Sequence, residues 1–218
     1  PLGWDEGGIP GSVVYEEDDL WPFQEAKAIL LYVGRFTAAK RLPLLLRAHA
    51  QALTRLGRPL PLVLVGGSPG EWEGEHPLTV ARALANRQVF LAGWRPHHEL
   101  PEALNAADLL VLPSVAEAFG LVLVEAMACG LPVIAADAHG PAQLVAPGTG
   151  WLVPADDQDA LAATLLAAAS DPQERTRRGN RAHQHSRASY GWPLIVARVV
   201  DIYDQLAGRL DTQRAARS

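Results

Sequence analysis

Cysteine is almost missing from this chain: Cys129 stands alone among 218 residues, so no disulfide can form within it. That fits a reducing, cytoplasmic compartment, and a lone cysteine in an apolar stretch is expected to pack against a sheet rather than to react. Long apolar runs are missing too. None reaches the roughly 18 residues that a membrane span requires, and the first residues lack the basic-then-apolar pattern of a secretory signal. Positive charge is in deficit, with a formal net charge of -5, which argues against a nucleic-acid partner. Lysine is the scarcest charged type, Lys27 and Lys40 against seventeen arginines. Beside the abundance of Ala, Leu and Gly this reads as a coding bias, and it makes Lys40 conspicuous. Taken without its neighbours, Lys40 would be a solvated lysine at a helix start. No solenoid-type repeat is visible.

What is present is a hydrophobic content of 49%, enough for one large domain with a full core. Residues 1–25, with Gly, Pro and the acidic run EEDD but little periodicity, read as a linker or irregular lead-in. Six apolar runs follow over 26–207: AILLYV, PLVLV, QVFLA, DLLVLP, PVIAA and GWLVP, each succeeded by helix-like spacing. Continuous rather than alternating apolar runs suit parallel strands covered on both faces. The expected fold class is therefore α/β, a Rossmann-like doubly wound parallel sheet. Ligands of such sheets bind at the carboxyl ends of the strands, so the loops after the first four runs would open on one edge. Near the end, Ile195, Val199, Ile202 and Leu206 place an apolar stripe on a helix over 193–206, and 208–218 reads as a flexible, frayed tail.

The most informative stretch is PSVAEAFGLVLVEAMACGLPVIAAD, from Pro113 to Asp137. A helix beginning near Gly120 would leave Glu117 in the preceding loop and carry Glu125 in its second turn. The free amides of Phe119, Gly120 and Leu121 would then point beyond the helix start, where the helix dipole favours an anion such as a phosphate. Two carboxylates would repel that phosphate. Their natural partners are neutral hydroxyls on either side of it, such as those of a sugar and a ribose, which outlines a nucleotide-sugar.

EAFGLVLVE followed by AMACGLPVIA resembles the signature of the retaining glycosyltransferases of the GT4 type: a Glu, seven residues, a second Glu, then a Gly-Leu-Pro-Val turn. LYVGRFTAAKR, VFLAGW, NAADLLVLPS and GTGWLVPADD occur in the order of that family, so the resemblance covers roughly residues 28 to 207. It implies that 26–207 is the nucleotide-sugar-binding half of a two-domain GT-B architecture. The implied activity is transfer of a sugar from a nucleoside diphosphate sugar to a hydroxyl acceptor, with no cofactor and no metal. By the same resemblance Arg35 and Lys40 contact the donor diphosphate and stabilise charge on the leaving group. Glu117 holds hydroxyls of the transferred sugar, and Glu125 accepts from the ribose hydroxyls. Gly34, Gly66 and Gly67 allow close backbone approach, Phe119, Gly120 and Leu121 supply amides, and Arg95 with Trp94 lies where relatives contact the nucleobase. A preceding acceptor-binding domain is the implied partner, any membrane contact would run through it, and this half by itself is expected to be inactive. Two alternatives share these residues: a non-catalytic nucleotide-sugar-binding module or subunit, and an epimerase of the same architecture, which the GLPVIA turn and the glutamate placement fit less well.

The chain departs from the family in GGSPGEWEGE, which lacks the aspartate of the usual Gly-Asp-Gly-Pro loop. Other patterns carry structural readings. Asp157 and Asp159 open a helix and serve as capping acids rather than metal ligands. His183 and His185 point to opposite helix faces. His97 and His98 read as solvated, Trp94 is as compatible with a core as with a site, and Ser114 and His139 lack the surroundings of a hydrolase nucleophile.

Overall fold

A computed structural model describes residues 3–4, 13–14, 23, 25–26, 28–67 and 73–215. Most of the lead-in over 1–25, Lys27 and the middle of the loop after the second apolar run lie outside the described residues. Two short strands, β1 (Gly3–Trp4) and β2 (Val13–Val14), pair antiparallel. The six apolar runs then form β3 (Leu30–Val33), β4 (Leu62–Val65), β5 (Val89–Gly93), β6 (Leu109–Leu112), β7 (Val133–Ala136) and β8 (Gly150–Val153). They make one parallel sheet in the order β5-β4-β3-β6-β7-β8. Every residue of β6 and β7 is buried, which explains why these runs show no alternation.

From β3 the chain winds outward through β4 to β5, then returns across the sheet to β6 and winds the other way to β8. With right-handed crossovers this reversal places helices on both faces. Helix α1 (Leu42–Leu56) follows β3, α2 (Pro77–Ala83) follows β4, and α3 (Leu100–Ala106) leads from β5 to β6. Helix α4 (Leu121–Ala128) follows β6 and α5 (His139–Leu144) follows β7. After β8 come α6 (Gln158–Ser170), α7 (Pro172–Tyr190) and α8 (Trp192–Ala215). Helix α6 packs on α1, and α7 packs on α4, so the last turns of the chain close both layers. Asp157 caps α6 by accepting from the Ala160 amide at 2.9 Å, as its position in the sequence implies. Asp171 caps α7 through the Glu174 amide in the same way.

The ladder between the reversal strands is the shortest in the sheet, with β3 and β6 paired only at Leu30 with Leu109 and Leu31 with Leu110. At its lower end the Ile29 amide donates to the Asp108 carboxylate at 2.8 Å, and the Asp108 amide donates to the Ile29 carbonyl at 2.9 Å.

The C-terminal helix departs from the sequence reading. It runs through Ala215, into the segment expected to be a tail, with no proline in GRLDTQRA to end it. Its apolar stripe exists, yet Val199, Ile202 and Leu206 remain exposed. No helix among the described residues is long and apolar enough to cross a membrane.

Candidate functional site

The carboxyl edge of the sheet gathers the loops after β3, β4, β5 and β6. The β3 and β4 loops touch at glycines. Gly66 has φ +124°, and a Cβ there would lie 2.0 Å from the Gly34 carbonyl oxygen; Gly67 has φ +71°, and its Cβ would lie 2.2 Å from the Phe36 ring. The pair that the sequence assigns to ligand approach is thus demanded first by the packing of two loops. The Gly34 amide donates to the Val65 carbonyl at 3.0 Å and the Gly66 amide to the Gly93 carbonyl at 2.9 Å, which stitches three strand ends together.

Gly34, Gly66 and Gly67 line a cavity of about 300 Å³ together with Val33, Arg35, Val65, Trp94, Arg95 and Leu100. Trp94 is 59% exposed, which removes the core reading and leaves its indole on the cavity wall. Arg95 stands 3.9 Å from Glu99.

At the reversal between β3 and β6, where doubly wound sheets form their ligand crevice, the Lys40 ammonium is paired with the Glu117 carboxylate. Both side chains are largely buried, 14% and 15% exposed. Their backbones are fastened independently. The Ala39 carbonyl accepts from the Ser114 hydroxyl at 3.1 Å and from the Val115 amide at 3.0 Å, and the Glu117 carbonyl accepts from the Gly140 amide at 3.2 Å. A Cβ on Gly140 would lie 2.6 Å from the Phe119 carbonyl oxygen, so this glycine seats the glutamate loop. Tyr32 lies beneath the loop after β3, its hydroxyl donating to the Arg35 carbonyl at 2.7 Å. Burial, and next the Glu117 carboxylate, push that hydroxyl far above its ordinary range, so it remains a proton donor.

Helix α4 begins as the sequence implies. Gly120 is its N-cap at φ +92°, no side chain caps it, and the amides of Phe119, Gly120 and Leu121 find no partner among the described residues. Phe119 and Leu121 are exposed, and the Phe119 ring meets Tyr190 edge to face at 6.1 Å. Glu125, on the second turn, holds His97: the two side chains are 2.9 Å apart. His97 is solvated, as expected, but it is not without a partner.

The structure therefore gathers the candidate residues in two groups. Gly34, Arg35, Gly66, Gly67 and Arg95 surround the cavity; Lys40 meets Glu117 at the reversal, and Phe119, Gly120, Leu121 and Glu125 lie at the start of α4. Sequence reasoning missed Tyr32, Gly140 and the role of His97, and treated Ser114 only as a poor nucleophile. Arg41 and Asp156 were missed as well. Both have left-handed backbones, φ 55° and 59°, and they form a forked ion pair of 2.6 and 3.1 Å between the β3 and β8 loops. The signal for that pair was faint, an arginine beside Lys40 and an aspartate one residue before a helix cap. Cys129 ends α4 half-buried, and burial, with Glu125 second, pushes its thiol up. Among the described residues no three His, Cys, Asp or Glu side chains group as metal ligands do.

A parallel sheet wound outward in both directions from β3 and β6 defines a doubly wound α/β domain. Residues 16–185 match the family described as Glycosyl transferases group 1, and the chain belongs to that family. It is 37% identical over 182 residues to the D-inositol 3-phosphate glycosyltransferase 1 of Catenulispora acidiphila, covering 80% of this chain and 43% of that protein. It is 32% identical over 181 residues to the alpha-D-kanosaminyltransferase of Streptomyces kanamyceticus, covering 83% and 46%. Among solved structures, sucrose-phosphate synthase from Thermosynechococcus elongatus superposes with a TM-score of 0.76 at 32% identity, over 88% of this chain and 49% of that one. Anabaena HepE in complex with UDP superposes with a TM-score of 0.69 at 25% identity, over 91% and 54%. The chain thus spans about half the length of the relatives it matches, and its fold is the Rossmann-like one found in these GT-B glycosyltransferases.

Proposed function

We propose that residues 26–207 form the donor-binding domain of a retaining glycosyltransferase that moves a sugar from a nucleoside diphosphate sugar to a hydroxyl acceptor. The observation that carries this reading is the meeting of Lys40, Glu117 and the unpartnered α4 amides at the reversal of the sheet. Lys40 and Arg35 take the diphosphate together with the α4 amides, and as the bond from the anomeric carbon to the phosphate oxygen breaks they stabilise the charge left on that oxygen. Glu117 accepts from hydroxyls of the sugar, and Glu125 from the ribose. Trp94 and Arg95 border the cavity that would receive the base. HepE, solved with UDP and with UDP-glucose, makes uridine compounds the first ligands to try.

Titration calorimetry with UDP, GDP, ADP and their glucose or mannose conjugates tests this. Binding is expected in the micromolar to millimolar range and should persist in EDTA, because lysine, arginine and backbone amides carry the phosphate charge. Loss of binding in EDTA would refute the metal-free part, and no binding to any of these compounds would refute the whole.

Glu125→Ala is expected to weaken nucleotide and nucleotide-sugar alike, by roughly 1 to 3 kcal/mol, since the ribose common to both loses its acceptor. The same titrations check it. A loss confined to the conjugates would move Glu125 from the ribose to the sugar.

A further inference from the structure

Lys40 and Glu117 pair with each other, although the proposed function assigns them to different parts of the donor. We propose that this ion pair is a specificity device: it makes the site prefer the sugar-bearing nucleoside diphosphate over the nucleoside diphosphate alone. The inference rests on the donor-binding reading above.

The two ligands differ in what they can put in place of the pair. Both side chains are largely buried, so a charge separated from its partner there is poorly solvated and unfavourable. A nucleoside diphosphate offers oxygens to Lys40 but nothing to Glu117, whose carboxylate would then be unpaired beside a second anion. A nucleotide-sugar offers phosphate to Lys40 and hydroxyls to Glu117 at once. Opening the pair is thus matched on both sides only by the intact donor. Among the described residues the cation paired with Glu117 is Lys40. Tyr32 lies close enough for the carboxylate to act on its hydroxyl, but that hydroxyl is committed to the Arg35 carbonyl. Ser114 is committed to the Ala39 carbonyl. Because Ala39 and Glu117 are held through their backbones, the pair can open by side-chain rotation without moving either loop. A site built this way releases the spent nucleotide more readily than it releases donor.

The test is calorimetry of UDP, GDP and ADP, and of UDP-glucose and GDP-mannose, on the whole chain and on Glu117→Gln, Lys40→Met and the double variant. Stoichiometry near one reports the folded fraction in each titration. Glu117→Gln keeps the shape of the side chain but frees Lys40. It should bind the bare nucleotide about tenfold tighter, equivalent to roughly 1.4 kcal/mol, while its affinity for the sugar conjugate stays level or falls. Lys40→Met should cost the bare nucleotide several-fold more affinity in the Glu117→Gln background than in the natural chain. Unchanged or weaker nucleotide binding by Glu117→Gln, with equal cost of Lys40→Met in both backgrounds, would overturn the specificity role and leave the donor site standing. A natural chain that binds none of the five ligands would overturn both.

Discussion

Gly66→Ala should destabilise the protein by about 2 to 5 kcal/mol and abolish nucleotide binding with it. The added methyl carbon would be 2.0 Å from the Gly34 carbonyl oxygen and 2.9 Å from its carbon, both backbone atoms with no rotamer to escape into. The backbone at φ +124° is itself unfavourable for alanine. Relief requires the ends of β3 and β4 to separate where the Gly34 amide donates to the Val65 carbonyl, and Gly34, Val65 and Gly66 all line the cavity. Gly57→Ala is the control. Gly57 ends α1 at φ +64° with nothing within 4 Å of a Cβ, so only the backbone term applies, about 1 to 2 kcal/mol. Denaturant midpoints of the two variants decide the matter, and equal losses would mean that the close approach of the loops is not limiting.

Acidification should remove stability through a buried imidazole. His49 lies on the apolar face of α1, fully buried, with Nε2 2.7 Å from the Leu60 carbonyl and Nδ1 2.8 Å from the Asn86 side-chain amide. A carbonyl only accepts and an amide nitrogen only donates, so the ring is neutral with its proton on Nε2. Burial lowers its pKa to about 4 against an ordinary 6.5. The unfolded chain therefore binds a proton between these values while the folded one does not. Stability is full above pH 6.5, falls as the pH drops toward 4, and loses nothing further from this group below that. The loss is on the order of 3 kcal/mol. Carboxylates titrate in the same window, so the measurement is a difference: urea unfolding of the natural chain and of His49→Gln at pH 7 and pH 4.5. The variant should be less stable at pH 7, where its shorter reach leaves Leu60 or Asn86 unsatisfied, and should lose less on acidification. Parallel losses in the two proteins would show that His49 does not set the slope.

The sheet was readable from sequence because its strands are covered on both faces, so each reached the page as an unbroken apolar run. Helix α4 was readable because Gly120 breaks the preceding loop at a point where apolar residues resume. His49 could also have been found, since 42, 45, 46, 49 and 52 share one helix face and only position 49 is polar. The Lys40 and Glu117 pairing could not. It joins residues 77 apart in sequence, and their meeting depends on the strand order placing β6 beside β3, which no local pattern encodes. The contact of His97 with Glu125 is hidden for the same reason. At Gly66 and Gly67 a Cβ would meet the neighbouring loop, a requirement of packing that the sequence pattern does not separate from ligand approach. The extent of the C-terminal helix was not legible either: it continues through Gly208, where composition gives no signal for continuation.

The short ladder between β3 and β6 has a mechanical consequence. Two windings of three strands are joined there by few backbone bonds, clasped below by Ile29 and Asp108 and above by Lys40 and Glu117. On the donor-binding reading proposed above, a guest that parts the upper clasp takes its place, with phosphate on Lys40 of the first winding and hydroxyls on Glu117 of the second. It then serves as a rivet across the weakest join of the sheet. Occupancy and cohesion of the two windings become one event, and resistance to their separation grows with free guest as RT ln(1 + [L]/Kd).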